Sequence, residues 1–194
     1  MATGTRDRRA ERHAATREEI IDAAWEQVRE HGLAGLSLRD IARAVGMRPP
    51  SVYSYFDSKA AIYDAMFAEG NAAFLAHVRG LSRSEDRRTM LRTAAQGFMD
   101  FCMQDTARAQ LLFQRTVPEF EPADESYRLA VEALDHARTM LRSVGARRKG
   151  DVDVWTALLM GLVTQQISNE PEGTRWTARC DDAVDMFLAW IDTR

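Results

Sequence analysis

With 194 residues, 45% of them hydrophobic, and a net charge of −3, the chain is long enough to pack one large domain or two small ones. Its apolar runs never reach membrane length, and the opening Met-Ala-Thr-Gly-Thr-Arg-Asp-Arg-Arg has no apolar stretch of a secretory signal, so no membrane partner is expected. Cys102 and Cys180 lie too far apart for a metal spacing or a disulfide framework, which points to a reducing cytoplasm. Residues 1–15 are polar and basic without apolar periodicity and read as a mobile arm, either a solvated tail or an arm that touches DNA. The first helix is expected from Thr16, where Thr-Arg-Glu-Glu offers a cap with an acid three residues on. Ile20, Ile21, Ala24, Trp25 and Val28 form its buried stripe, and His31-Gly32 ends it.

The next stretch, Ser37 to Lys59, reads as two short helices joined at a glycine. Ser37 is placed to cap the first, with Asp40 completing a capping-box pattern, and Leu38, Ile41 and Val45 fall on one apolar face. Gly46 supplies the backbone freedom of a helix stop. A residue before proline is pushed out of the α region, so Arg48 and Pro49 are expected outside the second helix, with Pro50 at its first position. Val52 and Phe56 face inward. Ser51, Ser54 and Tyr55 lie on other faces, beside arginines, a surface chemistry that suits a groove of DNA. The local charge agrees. Arg39, Arg43, Arg48 and Lys59 stand against Asp40 and Asp57, and five arginines up to Arg17 stand against Asp7 and Glu11.

Asp57 or Ser58 is placed to cap a long fourth helix that runs from Lys59 to about Leu81. Helical periods then continue to the end, over about 88–104, 106–115, 124–144, 151–169 and 176–192. No strand alternation or repeat interrupts them. The fold class is all-α with about nine helices. The domains are expected at 16–58 for the helix-turn-helix unit, 59–82 for a connecting helix and 83–194 for a larger helical domain.

Within that larger domain the helix from Asp151 is apolar over more than one face, as is the last helix, so both are expected to be buried on two sides. Leu158, Gly161 and Leu162 on the one, and Val184, Phe187, Leu188 and Ile191 on the other, are the candidate contacts with a second copy. Phe98, Phe101, Phe113, Met140, Trp155 and Met160 are candidates to line an apolar cavity, methionine being suited to adaptable pockets. Gln165 and Gln166 are polar groups on an apolar helix that need partners if buried. No catalytic constellation is present: His13, His31, His77 and His136 are scattered, and no nucleophile-base or metal spacing occurs. Asp181, Asp182 and Asp185 read as a solvated face of the last helix. Catalytic residues, metal ligands and cofactors are therefore none, and the chain is not expected to be an enzyme.

The motif Leu36-Ser37-Leu38-Arg39-Asp40-Ile41-Ala42, then Val45-Gly46-Met47, Ser51-Val52-Tyr53-Ser54-Tyr55-Phe56 and Ser58-Lys59, resembles the helix-turn-helix signature of TetR-family transcriptional regulators. It covers about the first third of the chain. The resemblance implies a homodimeric repressor that sets its third helix in a major groove of a palindromic double-stranded operator, pairs through its last two helices, and is released by a small effector, here hydrophobic or amphipathic. The same fold could instead serve an activator, or a partner protein that has lost DNA binding. By position, Tyr53 and Lys59 would touch phosphates, Arg39 a base edge or phosphate, and Ser37 a phosphate. Arg48, Pro49, Ser51, Ser54 and Tyr55 would line the reading surface. Pro49 and Ser54 depart from the larger polar residues common there, which shifts the expected base specificity onto Arg39 and Arg48.

Overall fold

The computed structural model describes residues 3–194, with side chains from residue 8 onward. Among the described residues there are nine α-helices and no strand. Helices α1 (Thr3–His31), α2 (Leu38–Ala44), α3 (Pro49–Val52) and the first half of α4 (Lys59–Gly80) enclose one core. Ile20, Ala24, Val28, Ile41, Val52 and Ile62 in it are all but fully buried. Helices α5 (Arg87–Gln104), α7 (Asp124–Ser143), α8 (Asp151–Asn169) and α9 (Cys180–Asp192) build a second core around Leu91, Met99, Leu141, Trp155, Val163 and Phe187.

The one large boundary difference lies at the N-terminus. Helix α1 begins at Thr3 rather than Thr16, so most of the expected arm is helical, and Met1 and Ala2 lie outside the described residues. Arg, Ala and Glu dominate residues 8–15 and favour helix strongly, so a cap residue at Thr16 has no reason to start one afresh. At the other end, α9 starts at Cys180 after a single 3₁₀ turn, Thr177–Arg179, four residues later than its sequence period suggests.

α6 (Thr106–Phe113) sits between the two cores. Its Ala107 and Leu111 belong to the first, and its Ala109 to the second. Asp105 anchors it. One carboxylate oxygen caps the helix by accepting from Arg108 N at 2.9 Å, and the other accepts from Arg29 Nε at 3.0 Å and lies 2.9 Å from Arg29 Nη2 at the end of α1. A second link runs from α4. Asp64 accepts from the backbone N–H of Ala123 and from the Ser126 hydroxyl, both at 2.8 Å, and so caps the start of α7, which lacks a cap of its own.

Three ion pairs staple α9 to α5: Asp181 to Arg92 at 2.7 Å, Asp185 to Arg88 at 2.6 Å and Asp192 to Arg87 at 2.7 Å. Two of the three acids that read as a solvated face of the last helix are thus paired to α5, and the third, Asp182, meets Arg179 at 3.2 Å. Being exposed, each pair stabilises little alone, but together they set the register of the two helices. Gln166 is fully buried and holds the loop before α9. Its Oε1 accepts from Trp176 N at 2.8 Å and Thr177 N at 3.2 Å, and its Nε2 donates to Glu170 O. Gln165 is exposed and accepts from Asn169.

Gln166→Ala strands the backbone N–H groups of Trp176 and Thr177, while Glu170 O keeps its bond from Gly173 N, and is expected to lower unfolding stability by about 2 kcal/mol in a urea titration at fixed protein concentration. Burial pushes the Cys102 thiol up to about 12, and that of Cys180 upward as well. Neither is expected to react with a thiol reagent at pH 8 until the chain unfolds. Since the unfolded thiol ionises first, the Cys102 contribution to stability should fall as pH rises from about 9.

Candidate nucleic-acid interface and cavity

The helix-turn-helix is held by backbone chemistry. Ser37 Oγ accepts from Asp40 N at 3.4 Å and caps α2. The reciprocal half of the expected capping box is filled by another residue: Ser37 N donates to Gln27 Oε1 at 2.8 Å, while Asp40 pairs with Arg43 at 2.9 Å. At the other end Gly46 takes φ of +68°, with Gly46 N bonding Arg43 O at 3.2 Å and Met47 N bonding Ala42 O at 2.7 Å. This is a Schellman stop, and its left-handed residue favours glycine.

Arg48 is extended at φ −77° and ψ 141°, as the proline rule requires, but α3 begins at Pro49 rather than Pro50. Both prolines fit the first turn, whose N–H groups have no intrahelical partner, so neither loses a bond there. Helix α3 ends at Val52. Tyr55 N and Phe56 N both bond Val52 O, which extends the turn and keeps Phe56 buried beside Val52.

The candidate contact residues fall into two groups. Arg39, Arg48, Pro49, Ser51, Tyr53 and Ser54 are exposed, Tyr53 by 52%. No ion pair engages Arg39 or Arg48 among the described residues, whereas Arg43 is held by Asp40. Ser54 from this group, and the remaining Ser37, Tyr55 and Lys59, are already partly engaged. The Ser54 hydroxyl donates to Ser51 O at 2.7 Å. Lys59 Nζ lies 3.4 Å from Ala34 O and 5.5 Å from the Tyr63 ring, and Ser37 is half-buried as a cap. Tyr55 packs against the core and stacks on His13, with ring centroids 4.7 Å apart.

Sequence reasoning missed what holds this surface from behind. Arg17 donates to Tyr55 O and places its guanidinium 4.0 Å above the Phe56 ring, so α1 clamps the end of the reading segment. Arg17 is half-buried, and nothing in its spacing distinguishes it from the many solvated arginines.

A cavity of about 590 Å³ opens in the larger domain, walled by α4 to α8. Phe98, Phe113, Met140, Trp155 and Met160 line it as the sequence suggests. Phe101 does not. It sits behind the wall, its ring 5.0 Å from that of Phe74 and under the Arg108 guanidinium at 4.1 Å. The wall that went unrecognised is α4, which contributes Phe67, Asn71, Phe74 and Val78 at helical spacing. Phe74, Phe98 and Phe113 pack together there, with ring centroids 5.1 to 5.9 Å apart.

On the candidate pairing face, Gly161 is exposed with open space beyond it, Leu158 and Leu162 are half-buried, and Val154 and Met186 are exposed by 36% and 64%. Val184 and Phe187 correct the sequence reading. At 0% and 1% exposure they fill the subunit's own core, Phe187 against Trp155 with ring centroids 5.0 Å apart, and cannot reach a second copy. Leu188 and Ile191 are half-buried against the same core.

Residues 20–66 match the model of the TetR family of bacterial regulatory proteins. Over 201 aligned residues the chain is 32% identical to a Mycobacterium tuberculosis protein named as the mycofactocin biosynthesis transcriptional regulator MftR, covering 93% of each chain. The chain belongs to the TetR family. Across 119 residues it is 33% identical to the class A tetracycline repressor of Escherichia coli, covering 59% of this chain and 53% of that one. It thus spans only about half the length of the tetracycline repressors it matches. The crystal structure of the TetR-family regulator PfmR from Thermus thermophilus shares the fold, with a TM-score of 0.65 at 20% identity over 88% of this chain and 97% of that one.

In this TetR-family chain the free arginines carry the sharpest expectation. Arg39→Ala should cost about 1–3 kcal/mol at one base position of the target if its contact is bidentate to guanine. Binding measured on a panel of single-base variants checks this, since an equal loss on every duplex marks a phosphate contact instead. Arg17→Ala should weaken binding to all duplexes alike, because it loosens the reading segment and touches no base.

Proposed function

We propose that the protein is a transcriptional repressor that works as a homodimer, binds a palindromic operator through α2 and α3, and releases it when a small apolar or amphipathic molecule enters the cavity. The observation that carries this reading is one surface on which Arg39, Arg48 and Tyr53 are exposed and Arg39 and Arg48 unpaired among the described residues, on a rigid unit whose rear wall is shared with that cavity.

The first half of α4 supplies Ile62, Tyr63 and Met66 to the reading unit's core, and its second half lines the cavity with Phe74 and Val78. An occupant that displaces α4 therefore displaces the base of the reading unit, because packed helices shift as bodies and do not deform freely. Two further joints carry the same displacement, Asp64 at the start of α7 and Asp105 between α1 and α6. Pairing through α8 and α9 is supported by the open Gly161 and the exposed Val154 and Met186. One short reading helix offers few base contacts, and duplication across a two-fold axis would supply the second half-site. The cytoplasm is the proposed place of action. No cofactor, metal or catalytic step is part of the proposal.

Selection from a randomised duplex library tests it. The expected product is a palindrome with half-sites about one helical turn apart, bound with an affinity that falls steeply as salt rises. Sedimentation should give twice the chain mass. Failure to enrich any sequence overturns the proposal.

A further inference from the structure

The cavity is uneven in its polarity, and the unevenness runs along one helix. Phe67, Asn71, Phe74, Val78 and Arg79 line it from α4, and Arg83 follows just beyond the helix end. From Phe67 to Arg79 the helix advances about 18 Å at 1.5 Å per residue, so the space is elongated. Phe67 is buried, while Arg79 and Arg83 are exposed at the other end.

Among the described residues no Asp or Glu lines the cavity, and Arg79 and Arg83 are its only arginines or lysines. Arg83 has no ion-pair partner among the described residues. Arg79 meets Glu132 at 3.4 Å, but that carboxylate is shared with Arg128 at 3.6 Å and does not line the space. Asn71 adds a polar group to the α4 wall. It is 2% exposed, its Nδ2 donates to Phe67 O at 2.9 Å, and its Oδ1 has no protein partner among the described residues. That oxygen is not sealed from solvent, and it gives a donor in the cavity a place to bond.

We infer that the effector is an anionic amphiphile, an extended apolar molecule whose carboxylate or phosphate is held by Arg79 and Arg83 while its body lies along α4 among the phenylalanines. Arginine forks match the two oxygens of either acid, and no carboxylate lines the space itself, Glu132 beside Arg79 lying outside it. The inference rests on the reading of this cavity as the effector site, and it narrows the ligand from apolar in general to apolar with an acidic end.

Calorimetric titration of the full chain with dodecanoate, dodecyl phosphate and dodecanol, each below its micelle threshold, tests it. Both acids are expected to bind roughly tenfold or more tightly than the alcohol, as befits charge-assisted hydrogen bonds. The stronger of the two assigns the head as carboxylate or phosphate. The R79A/R83A double variant should bring the acids down to the level of dodecanol and leave dodecanol unchanged. Equal binding of acid and alcohol, or a preference that survives the double variant, overturns the anionic head and leaves the effector cavity standing. Silence from all three probes on the wild-type chain overturns both. Release of DNA is scored separately, so an acid that binds without loosening DNA overturns the release and not this assignment.

Discussion

The constraint on which the rest of the structure depends is that one helix, α4, is built into the first core by its first half and walls the cavity with its second. Ile62 and Met66 are fully buried in the reading unit, and within the next turn or so Phe67 and Asn71 already face the cavity. No proline interrupts the helix. Its one internal glycine, Gly70, is buried with the Leu112 side chain of α6 pressed against it, so it serves close packing and gives neither half freedom to move alone. Whatever fills or empties the cavity must either fit around this helix or carry it along. Its N-terminus, capped by Ser58 through Ala61 N at 3.1 Å, lies directly behind the reading segment.

The polar joints reinforce this coupling at places where apolar packing alone would allow sliding. Asp64 fixes the start of α7 to α4 through two hydrogen bonds, and Asp105 fixes α6 to the end of α1 while capping its own helix. Each carboxylate thus does two jobs with its two oxygens. Its geometry is demanding, and a shift of one helix breaks bonds at the other. Apolar contacts supply most of the adhesion between the cores, but these carboxylates define which arrangement of helices is the low-energy one.

The fold was legible because its helices announce themselves by period and by their stops. Gly46, the Arg48-Pro49-Pro50 turn and Ser58 act locally, within a few residues, and their roles can be read without knowing the partner helix. The cavity was half legible. Phe98, Phe113 and Met160 stood out as apolar residues on the expected helices, but a stripe of phenylalanines looks the same whether it meets a neighbour or a void, which hid α4. Phe101 and Phe187 show the converse, since a broad apolar arc does not say which side is inward. The contacts that sequence could not supply are long-range and polar: Arg17 on Tyr55, Gln27 on Ser37, Asp64 on α7. Each joins residues at least 10 positions apart, and no local period carries that information.

The proposed coupling between cavity and DNA would also limit how strongly an effector could act. Such coupling is reciprocal, so an occupant that favours one placement of α4 is itself favoured by whatever holds α4 there. DNA held across both subunits of a pair would fix the spacing of two reading segments, and with it both copies of α4. An occupant then has to compete with two such restraints through its own differential affinity, and tight binding alone is not enough. A molecule that merely fits the apolar length beside Phe74 and Phe98 has no reason to prefer one placement. One whose head is anchored at Arg79 on α4 while its body is held against Phe98 on α5 would bridge two helices, and its length would then favour one placement of α4 over another.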